Sequence, residues 1–576
     1  MIFRQPFFVV IEQIWYNDYM IKLQRNLLQK KSFLFFLFLL LCSHYLFAQA
    51  GNKMQTKTSS ANVIFSDYPD PDIIRVDDTY YMISTTMYFM PGGVILRSYN
   101  LVDWEIASYV YEQLDGTPAQ RLWDNKGIYS QGMWAASIRH HKGLFYVTFV
   151  ANDTHQTYLY TSEKIDGPWK MSTISGFYHD MSVLFDDDGR VYIVSGNTNI
   201  HLTEMEPDLS KPKKDGINKI IIKDESDFIL GYEGAHFYKI NGKYYIFFIH
   251  WPKGKMRTEA CFVSDKVDGP YKGADVLCSG HGGWNSGVAQ GGIVQAVDGN
   301  WYGMLFQDHG ALGRIPVLVP VKWENDFPVF GEAGKAPLTV TVPDLKPDYK
   351  YEPLYCNDFI DKNGKLCKPW QWNHIPDKRY YSFENDGKSA GGKFTLTTGK
   401  VVQNICQAAD TLTQRTFTEH CQAEVTLDFT KLNDGDFAGL CALEGNYAFI
   451  GVTKDGGKYK LVMVERQPNG NLKNVNELYT GVVKDSVELD DGKITGGKNV
   501  LKITLKVVCD FSQGKENAQF FYYNQQTKKY VKLGSNKRLQ YSLDHFTGCR
   551  FALFNYATVK EGGSATFSDF KYTVLE

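Results

Sequence analysis

The sequence lacks the features that define several common classes of protein. Its 576 residues carry a formal net charge of only −2 and contain no basic block, which argues against nucleic acid as the main partner. Its ten cysteines are scattered without a CxxC or CxxH spacing, so neither a zinc site nor a disulfide framework is indicated. Helical periodicity is nearly absent, and no apolar run after residue 50 is long enough to span a membrane.

Aromatic residues, in contrast, are abundant and make up 15% of the chain. Such a content suits a β-rich core, and it also suits stacking against the apolar faces of sugars. Because 576 residues are too many for one hydrophobic core, we expect two domains of ordinary size.

The first 50 residues have the pattern of an export signal. A lysine pair precedes an unbroken apolar run at residues 33–41, and Ala48 and Ala50 provide the small residues of a cleavage site. We therefore predict a signal peptide over residues 1–50, with Met20 as an alternative start. The mature chain is expected to be soluble and either periplasmic or secreted.

Residues 51–345 contain short β-rich pairs that recur about every 50 residues and follow turn sequences such as Asn241-Gly242. The pairs are Thr79–Ser84 with Val94–Ser98, Leu144–Val150 with Thr157–Ser162, Val191–Gly196 with Ile200–Glu204, Tyr244–His250 with Ala260–Ser264, and Trp301–Gln307 with Val317–Lys322. Five recurring antiparallel units of this kind predict an all-β domain, a five-bladed β-propeller. A pair of β-sandwiches is the alternative.

Residues 346–576 form the second predicted domain. Residues 343–353 have the proline and charge content of a linker. The strand-like segments beyond them are Phe394–Thr398, Cys421–Leu427, Tyr447–Val452, Lys458–Glu465, Asn499–Val508, Ala518–Tyr523, Arg550–Asn555 and Thr566–Val574. Their alternation of apolar and polar residues predicts an accessory β-sandwich of two sheets.

One carboxylate stands in an unusual local sequence within the stretch Ser66–Thr86. Asp70 lies between Pro69 and Pro71, and each proline fixes its own φ and favours extended backbone in the residue before it. We therefore expect Asp70 on a stiff, extended segment at the mouth of a strand, where a general base is well aimed. The alternative is a proline-flanked turn in which Asp70 caps a backbone amide.

Two further carboxylates, Asp180 and Glu233, occupy comparable places at the openings of later units. The first strand of each blade lines the central channel of a propeller, so we expect the three acids to converge on one pocket. Converging carboxylates shift each other's pKa values, so that one stays ionised while another is held protonated. Hydrolysis of a glycosidic bond needs such a base and such an acid. Taken singly, each acid is better explained as a capping or turn residue, and it is their joint placement at matching points of three units that favours function.

The segments around Asp70, Asp180 and Glu233, together with Gly313-Arg314, resemble those of glycoside hydrolase family 43 in order and spacing. The resemblance covers nearly all of the chain after the predicted signal peptide. It implies a five-bladed propeller followed by a concanavalin-type sandwich, in an inverting enzyme that removes terminal xylose or arabinose units. By this resemblance Asp70 is the general base, Glu233 is the general acid, and Asp180 tunes pKa values and orients the acid.

The resemblance also implies positions that bind the substrate. Trp134 and Phe89 match aromatic residues near the family's pocket, where the face of a sugar can stack, although ordinary core packing explains both equally well. Arg314 matches an arginine that reaches the substrate or the acids, and a surface ion pair is its alternative.

Gln290 departs from the family pattern. Many relatives carry a histidine at this place near the propeller axis, often beside a calcium ion or a water, whereas Gln290 offers a neutral oxygen ligand. We expect no required cofactor and leave calcium near Gln290 open. His236 and His309 are other polar groups nearby, and we expect both to be hydrogen-bonded structural histidines.

Together these patterns predict an exported, inverting glycosidase that releases terminal β-xylosyl or α-L-arabinofuranosyl units from plant cell-wall oligosaccharides. The rival hypothesis is a non-catalytic sugar-binding propeller with a lectin-like sandwich, which would keep the aromatic residues but would not need three acids. A third hypothesis is a family relative that acts on galactosides or on internal bonds. The sugar, the linkage and the oligomeric state stay open.

Overall fold

Segments of alternating apolar and polar residues, separated by turns, form strands through most of the chain. The computed structural model describes residues 54–385, 391–466, 472, 475, 480–489, 492–497 and 499–575. In this part of the chain helix is limited to short 3₁₀ turns, among them Gly310–Leu312 and Ile405–Gln407. Within the described residues no helix has the length and apolar character needed to cross a bilayer. The predicted signal peptide lies outside the described residues.

The strands up to residue 343 are β1 (Thr56–Ser60), β2 (Asp72–Val76), β3 (Thr79–Ser84), β4 (Phe89–Met90), β5 (Gly92–Ser98), β6 (Glu105–Tyr111), β7 (Ser137–His141), β8 (Leu144–Ala151), β9 (Gln156–Ser162), β10 (Lys170–Ile174), β11 (Ser182–Phe185), β12 (Val191–Ser195), β13 (Asn199–Met205), β14 (Asn218–Lys223), β15 (Phe228–Ile240), β16 (Lys243–Pro252), β17 (Thr258–Ser264), β18 (Lys272–Leu277), β19 (Val288–Gln295), β20 (Trp301–Asp308), β21 (Arg314–Glu324), β22 (Phe327–Phe330) and β23 (Thr339–Pro343).

Apart from β1 and β23, which pair with each other, and β4, these strands build five antiparallel sheets of four strands each, in the orders β2-β3-β5-β6, β7-β8-β9-β10, β11-β12-β13-β14, β15-β16-β17-β18 and β19-β20-β21-β22. The sheets are the blades of a five-bladed propeller, numbered 1 to 5 here, and the prediction of this fold is confirmed. Each predicted strand pair corresponds to the second and third strands of a blade. A middle strand such as β12 is buried along its whole length, because blades pack face to face.

The turns between blade strands follow the local chemistry of their residues. Asn241 and Gly242, which join β15 to β16, have φ angles of +50° and +81°. A type I′ turn needs positive φ at both central positions, and Asn-Gly is the pair that meets this need most easily. The turn thereby sets the register of the two longest strands of blade 4.

The strands after residue 343 are β24 (Gln371–Asn373), β25 (Tyr381–Glu384), β26 (Lys393–Thr397), β27 (Leu412–Arg415), β28 (His420–Lys431), β29 (Asp436–Leu443), β30 (Ala448–Asp455), β31 (Lys458–Glu465), β32 (Val482–Glu488), β33 (Lys502–Asp510), β34 (Asn517–Asn524), β35 (Lys529–Lys532), β36 (Lys537–Arg538), β37 (Arg550–Ala557) and β38 (Ser564–Val574).

Two large antiparallel sheets make up the C-terminal sandwich. One has the order β32-β31-β30-β29-β37-β27-β24-β4, and the other has the order β25-β26-β38-β28-β33-β34-β35 with β36 paired to β34. The alternating residues of β28, from Cys421 to Phe429, turn their apolar side chains into the core. The predicted concanavalin-like sandwich is confirmed.

The propeller and the sandwich share a sheet. Strand β4 follows β3 of blade 1 in sequence, yet it pairs with β24, with Met90 opposite Trp372 and Phe89 opposite Asn373. The described residues from Lys57 onward form one compact unit. The boundary that we predict between residues 345 and 346 stays a prediction.

The predicted linker is bound along blade 1. The hydroxyl of Tyr349 donates to Glu105 Oε1 at 2.7 Å, and the backbone N–H of Glu352 donates to Glu105 Oε2 at 2.9 Å. The hydroxyl of Tyr351 accepts the backbone N–H of Tyr99 at 2.8 Å. Because Glu105 is buried, these bonds hold the connection between the two domains against the propeller.

Candidate active site

A cavity of about 340 Å³ opens at the propeller channel, and the three predicted acids all line it. Asp70 lies two residues before β2 of blade 1, Asp180 lies two residues before β11 of blade 3, and Glu233 lies within β15 of blade 4. Blades 3 and 4 are neighbours, so Asp180 and Glu233 lie on one side of the cavity. Blade 1 is separated from blade 4 by blade 5, which sets Asp70 apart from them.

The backbone at Asp70 differs from the expectation. Asp70 has a φ of +52°, in the left-handed region, so the prediction of an extended residue before Pro71 is wrong. The carbonyl of Pro69 accepts hydrogen bonds from Ser84 Oγ at 2.7 Å and from the Thr85 N–H at 3.2 Å, and these bonds fix the turn. Asp180 has the same conformation, with a φ of +48°. Two acids in a sparsely populated conformation beside a cavity indicate a functional site.

Glu233 owes its position to irregular pairing between β15 and β16. The register of these strands shifts on both sides of Glu233. Gly234, which follows it, has a φ of +64°, and a Cβ atom there would lie 2.6 Å from the side chain of Gln290. Glycine is therefore required at this position, because it removes both the backbone strain and the clash.

Asp70 combines a buried carboxylate with a single cationic partner. Arg314 Nη1 lies 3.1 and 3.3 Å from the two carboxylate oxygens. Burial raises the pKa of Asp70, Arg314 acts in the opposite direction, and the charges of Asp67 and Glu233 add to the rise. The prediction that Arg314 reaches the acids matches this geometry, and a surface ion pair is excluded because both side chains are buried.

His179 links the other two acids. Its Nδ1 lies 3.7 Å from Asp180 Oδ1, and its Nε2 lies 3.7 Å from Glu233 Oε2. Burial raises the pKa of Asp180 to about 7, with Glu233 and Asp70 adding to the rise and His179 opposing it. The charge of Asp180 in turn raises the pKa of His179, so each group favours the charged form of the other. Glu233 also accepts a hydrogen bond from Asn197 Nδ2.

Trp134 forms one wall of the cavity, as predicted for an aromatic residue near the pocket. Its Nε1–H donates to the carbonyl of Ser130 at 3.3 Å, which fixes the plane of the ring. The ring lies 5.9 Å from that of His179 and 5.6 Å from that of Phe546. The indole thus presents an apolar surface directly beside the acids.

The sandwich contributes part of the cavity wall, which sequence reasoning missed. Tyr541, Leu543 and Phe546 come from the loop before β37 and line the same cavity as the acids. The guanidinium of Arg314 lies 4.9 Å from the ring of Phe546 and within 3.5 Å of its carbonyl oxygen. No sequence motif pointed to this loop, because it lies more than 200 residues after the acids.

Asp67 holds the sandwich loop to the propeller. Its two carboxylate oxygens accept the backbone N–H of Arg314 at 2.8 Å and the backbone N–H of Gly548 at 2.9 Å. Asp67 stands three residues before Asp70 in the same stretch, so one segment positions a candidate catalytic acid and the loop that covers it. Its position in the Ser66–Thr86 stretch was the signal that could have identified it.

A further wall comes from blades 4 and 5. Trp251, Arg257, Phe306 and Asp308 line the cavity, and Arg257 forms an ion pair with Asp308. The guanidinium of Arg257 also lies 4.8 Å from the ring of Trp251. None of these residues stood out in the sequence. The exposed side chain of Ile229 completes this rim.

Phe89 does not lie in the cavity, so its predicted role in binding the substrate is wrong. Its side chain is fully buried in the core, with the guanidinium of Arg550 only 3.5 Å from the centre of its ring. Strand β4 carries Phe89 into the sandwich sheet, and Met87 occupies the cavity wall instead. Core packing, the alternative explanation, applies.

Gln290 lines the cavity, with a φ of +61°, and its N–H donates to Glu259 Oε2 at 2.7 Å. Calcium takes six to eight oxygen ligands. The protein oxygens described beside Gln290, its own amide and the buried carboxylate of Glu259, fall short of that set. The question of calcium at this place stays open, as it was in the sequence, and no chemical step is assigned to it.

The two histidines near the axis have structural partners. His236 Nδ1 lies 3.0 Å from Asp72 Oδ1, and His309 Nε2 lies 2.9 Å from Gln307 Oε1. His309 also stacks on Trp284 at 4.7 Å, and burial lowers its pKa to about 3. Both are hydrogen-bonded and buried, as expected.

Comparison with known protein families matches both halves of the chain. Residues 60–328 match the family described as Glycosyl hydrolases family 43. Residues 357–573 match the domain described as Beta xylosidase C-terminal Concanavalin A-like domain.

Individual proteins resemble the chain over most of its length. A Beta-xylosidase from Formosa agariphila is 28% identical over 72% of this chain and 79% of its own. A Non-reducing end alpha-L-arabinofuranosidase from Bacteroides ovatus is 26% identical over 58% of this chain and 64% of its own. A solved structure described as a bifunctional GH43-CE protein of Bacteroides eggerthii is 38% identical, with a TM-score of 0.79 over 90% of this chain. This chain spans 64% of that longer protein.

Proposed function

The chain belongs to glycoside hydrolase family 43 and is a glycosidase, and we propose that it is exported and releases terminal β-xylosyl or α-L-arabinofuranosyl units from plant cell-wall oligosaccharides with inversion. The observation that carries the proposal is the meeting of Asp70, Asp180 and Glu233 in one cavity beside an aromatic wall. A sugar-binding propeller without catalysis would need the aromatic wall but not the three acids.

In this proposal Asp70 is the general base. It takes a proton from the water that attacks the anomeric carbon, while the bond to the leaving group breaks on the opposite face of the sugar. The Arg314 guanidinium, 3.1 Å away, favours the ionised carboxylate that a base requires, although burial opposes ionisation. The strained backbone at Asp70 and its support through Pro69 keep the carboxylate aimed.

Glu233 is the general acid that protonates the departing oxygen. Asp180 and His179 lie on the same side of the cavity as Glu233, and His179 lies 3.7 Å from a carboxylate oxygen of each acid. Electrostatic interaction among these three groups supports the role of Asp180 in tuning pKa values. After the proton has left, the imidazolium of His179 and the amide of Asn197 stabilise the carboxylate of Glu233. The attacking water supplies the hydroxyl group of the released sugar and gives its proton to Asp70. The leaving group takes the proton of Glu233, so the overall reaction adds one water across the broken bond.

Inversion is supported by the distribution of the acids over the blades. Inverting glycosidases leave room for a water between base and sugar, with carboxyl groups about 6.5–9.5 Å apart, whereas retaining enzymes hold them about 5–5.5 Å apart. Asp70 and Glu233 come from blades that are not neighbours, which favours the wider separation.

Removal of terminal units is supported by the closure of the cavity. The sandwich residues Tyr541, Leu543 and Phe546 cover one side, and about 340 Å³ suits a small part of a saccharide better than a long polymer segment. The relatives named as xylosidase and arabinofuranosidase support a pentose as the released sugar. The contact that the pocket makes with one sugar hydroxyl decides between xylose and arabinose. The alternative activity is cleavage of galactosides or of internal bonds.

The test is a panel of 4-nitrophenyl glycosides followed by NMR of the first-formed sugar. Release of nitrophenol from the β-xyloside or the α-L-arabinofuranoside, with α-xylose appearing before mutarotation from a β-xyloside, is the expected result. β-Xylose as the first product, or a trapped covalent adduct, contradicts inversion and the assigned roles. Absence of turnover on every glycoside, with sugar binding retained, favours the non-catalytic propeller.

Export is proposed from the sequence pattern of residues 1–50. The measurement is N-terminal sequencing of the protein recovered from fractionated cells. A mature N-terminus close to residue 51, outside the cytosolic fraction, is expected. An unprocessed chain in the cytosol overturns the proposed export but leaves the chemistry untouched.

A further inference from the structure

A second polar groove, of about 280 Å³, lies where a propeller loop meets the sandwich. The propeller supplies Trp123 and Asp124, and the sandwich supplies the remaining lining residues, among them Arg379, Lys400 and Asp410. No lining residue is shared with the acid cavity. The chemistry of the acid cavity therefore leaves this groove unexplained.

Trp123 is the most conspicuous residue of the groove. Of the tryptophans and phenylalanines that the structure describes, it is the only exposed one, with 40% of its surface accessible. A large aromatic ring is normally buried, and one held in solvent beside a polar groove is suited to an amphipathic ligand.

The backbone that carries Trp123 is held in place by hydrogen bonds within the protein. Its backbone N–H donates to the carbonyl of Pro118 at 2.8 Å, and its carbonyl accepts the N–H of Lys126 at 2.9 Å. The neighbouring Leu122 is buried, and its carbonyl accepts the ammonium of Lys400 from the sandwich. The loop is thus pinned to the opposite wall of the groove, so little order has to be gained on binding.

The polar groups around Trp123 include both donors and acceptors. Asp410 Oδ1 accepts the Asp377 N–H at 2.7 Å, and Arg379 is paired with Asp377. Asn555 also lines the groove and donates through its amide nitrogen to two carbonyl oxygens. The lining thus combines carboxylate acceptors with cationic donors.

The charges of the groove disfavour an anionic ligand. Three carboxylates, Asp124, Asp377 and Asp410, face two cations, and Arg379 is already neutralised by Asp377. Burial raises the pKa of Asp410 to about 7 and lowers that of Lys400 to about 8, so both groups are poorly hydrated. Neutral hydroxyl groups of a ligand, which both donate and accept hydrogen bonds, would satisfy these poorly hydrated groups.

We propose that this groove is a second sugar-binding site, which stacks one neutral pentose or hexose unit of an oligosaccharide on Trp123. The aromatic face, the paired donors and acceptors, and a volume suited to one sugar unit carry the inference. The choice of a cell-wall saccharide as ligand rests on the proposed function. Such a site holds a polysaccharide chain near the enzyme without entering the chemistry.

The test is native electrophoresis of the full chain through gels containing soluble arabinoxylan, in a Glu233→Gln background that spares the polymer. We expect Trp123→Ala to lower the apparent affinity about 2- to 10-fold, the range of one stacking contact. Trp123→Phe keeps a flat ring, so its apparent affinity for arabinoxylan should lie between those of the parent and of Trp123→Ala. Met171→Ala, which shortens an exposed apolar side chain on β10, is the matched control and should migrate as the parent does.

A second variant addresses the polar side of the groove. Asp410→Asn keeps the oxygen that accepts the Asp377 N–H but replaces the carboxylate, so the fold should survive while the affinity for arabinoxylan falls. Hydrolysis of 4-nitrophenyl glycosides, measured with Glu233 intact, should stay within about twofold in all groove variants.

Unchanged migration of both Trp123→Ala and Asp410→Asn overturns the proposal. So does a parallel loss of aryl-glycoside hydrolysis, because the loop would then act through the acid cavity. If the parent enzyme cleaves no aryl glycoside, the proposed function fails, yet retardation that depends on Trp123 still identifies a sugar site. The two failures are therefore distinguishable.

Discussion

Asp70 and Asp72 stand two residues apart in one Pro-Asp-Pro-Asp sequence, and the structure gives them opposite environments. Asp72 accepts hydrogen bonds from Arg139 Nη1 at 2.6 Å and from the Ile138 N–H at 2.8 Å, and it lies 3.0 Å from His236 Nδ1. Burial disfavours its charge, but these partners prevail and lower its pKa to about 2. The pKa of Asp70 moves in the other direction, because burial outweighs its one cation.

The difference separates a structural acid from a candidate catalytic one. Asp72 joins blades 1, 2 and 4, since Arg139 lies on β7 and His236 on β15, and its side chain has no exposed surface. A carboxylate held by an arginine, a backbone N–H and a histidine is stabilised in its ionised form and is occupied by these partners. Asp70 has Arg314 as its ion-pair partner, sits on strained backbone and lines the cavity. Burial alone therefore does not identify function, whereas burial together with backbone strain beside a cavity does.

The largest effect on turnover is expected at Asp70. Asp70→Asn keeps the shape of the side chain but cannot accept a proton from water, so kcat on aryl and natural glycosides should fall by about 10²–10⁴-fold or more. Sugar binding, followed by calorimetry, should persist. The melting temperature should change little, because loss of an ionised carboxyl whose pKa is raised relieves a cost above the pKa of the unfolded chain, while Arg314 loses its buried partner. A variant with near-normal kcat would show that Asp70 is not the base.

Glu233→Gln should come next, and its size should depend on the leaving group. A nitrophenolate departs without a proton, whereas a sugar alkoxide needs one. The loss of kcat should therefore be larger on oligosaccharides than on 4-nitrophenyl glycosides, measured side by side. Equal losses on the two kinds of substrate count against Glu233 as the acid.

His179→Gln is expected to have a smaller effect that shows mainly in the pH profile. His179 and Asp180 favour each other's charged form, so removal of the imidazole should raise the pKa of Asp180 further above its ordinary value. The pH profile of kcat/KM should move to higher pH by about one unit. On the sloping parts of the profile this shift changes kcat/KM about tenfold. His140→Gln, on the outer part of β7, is the control. A profile that does not move shows that His179 is a passive neighbour.

Asp72→Asn, the matched partner of Asp70→Asn, should have the smallest effect on turnover and the largest on stability. Loss of the charge leaves the largely buried guanidinium of Arg139 without its carboxylate partner, and breaking a buried pair typically costs about 3–5 kcal/mol. We expect a clear fall in melting temperature and, for the folded fraction, a kcat within about twofold of the parent. Loss of turnover without loss of stability would reverse the roles of the two residues.

The same variant has a predicted pH dependence. The folded pKa of Asp72 is about 2, below its ordinary value of 3.8, so its stabilising contribution is present above about pH 4 and is lost as the pH falls towards 2. The parent should therefore lose stability more steeply than Asp72→Asn across that interval. Melting temperatures recorded from pH 5 to pH 2 provide the measurement, and parallel curves would contradict the assigned pKa.

Much of the architecture was predictable from sequence because it depends on local periodicity. The five strand pairs were visible in the alternation of aromatic and β-branched residues and in turns such as Asn241-Gly242, and each pair forms the middle of a blade. Middle strands are buried on both faces, so their apolar content is high and their position is clear. The candidate acids were identified from their order and spacing, which repeat with the blades.

Long-range contacts were not predictable in this way. The short strand β4 pairs with β24 some 280 residues later, as the bond from Gln371 Nε2 to the Pro91 carbonyl illustrates, and this removes Phe89 from the cavity. The loop carrying Phe546 enters the cavity from the sandwich. Both arrangements depend on how two domains dock, and docking uses surface shape and paired polar groups that leave no periodic trace in sequence.

The sequence by itself determined the all-β class, the five repeated units, the second β domain and the three acids that face the channel, because strand periodicity, turn chemistry and spacing are local properties. Only the tertiary structure decided which of two neighbouring aspartates is structural, since Arg139 and His236 reach Asp72 from other blades. It also decided the left-handed backbone of Asp70, where support from Ser84 and Thr85 outweighs the preference that proline imposes. Charge, burial and strain at a residue are sums over neighbours that are distant in sequence, and the fold alone brings those neighbours together.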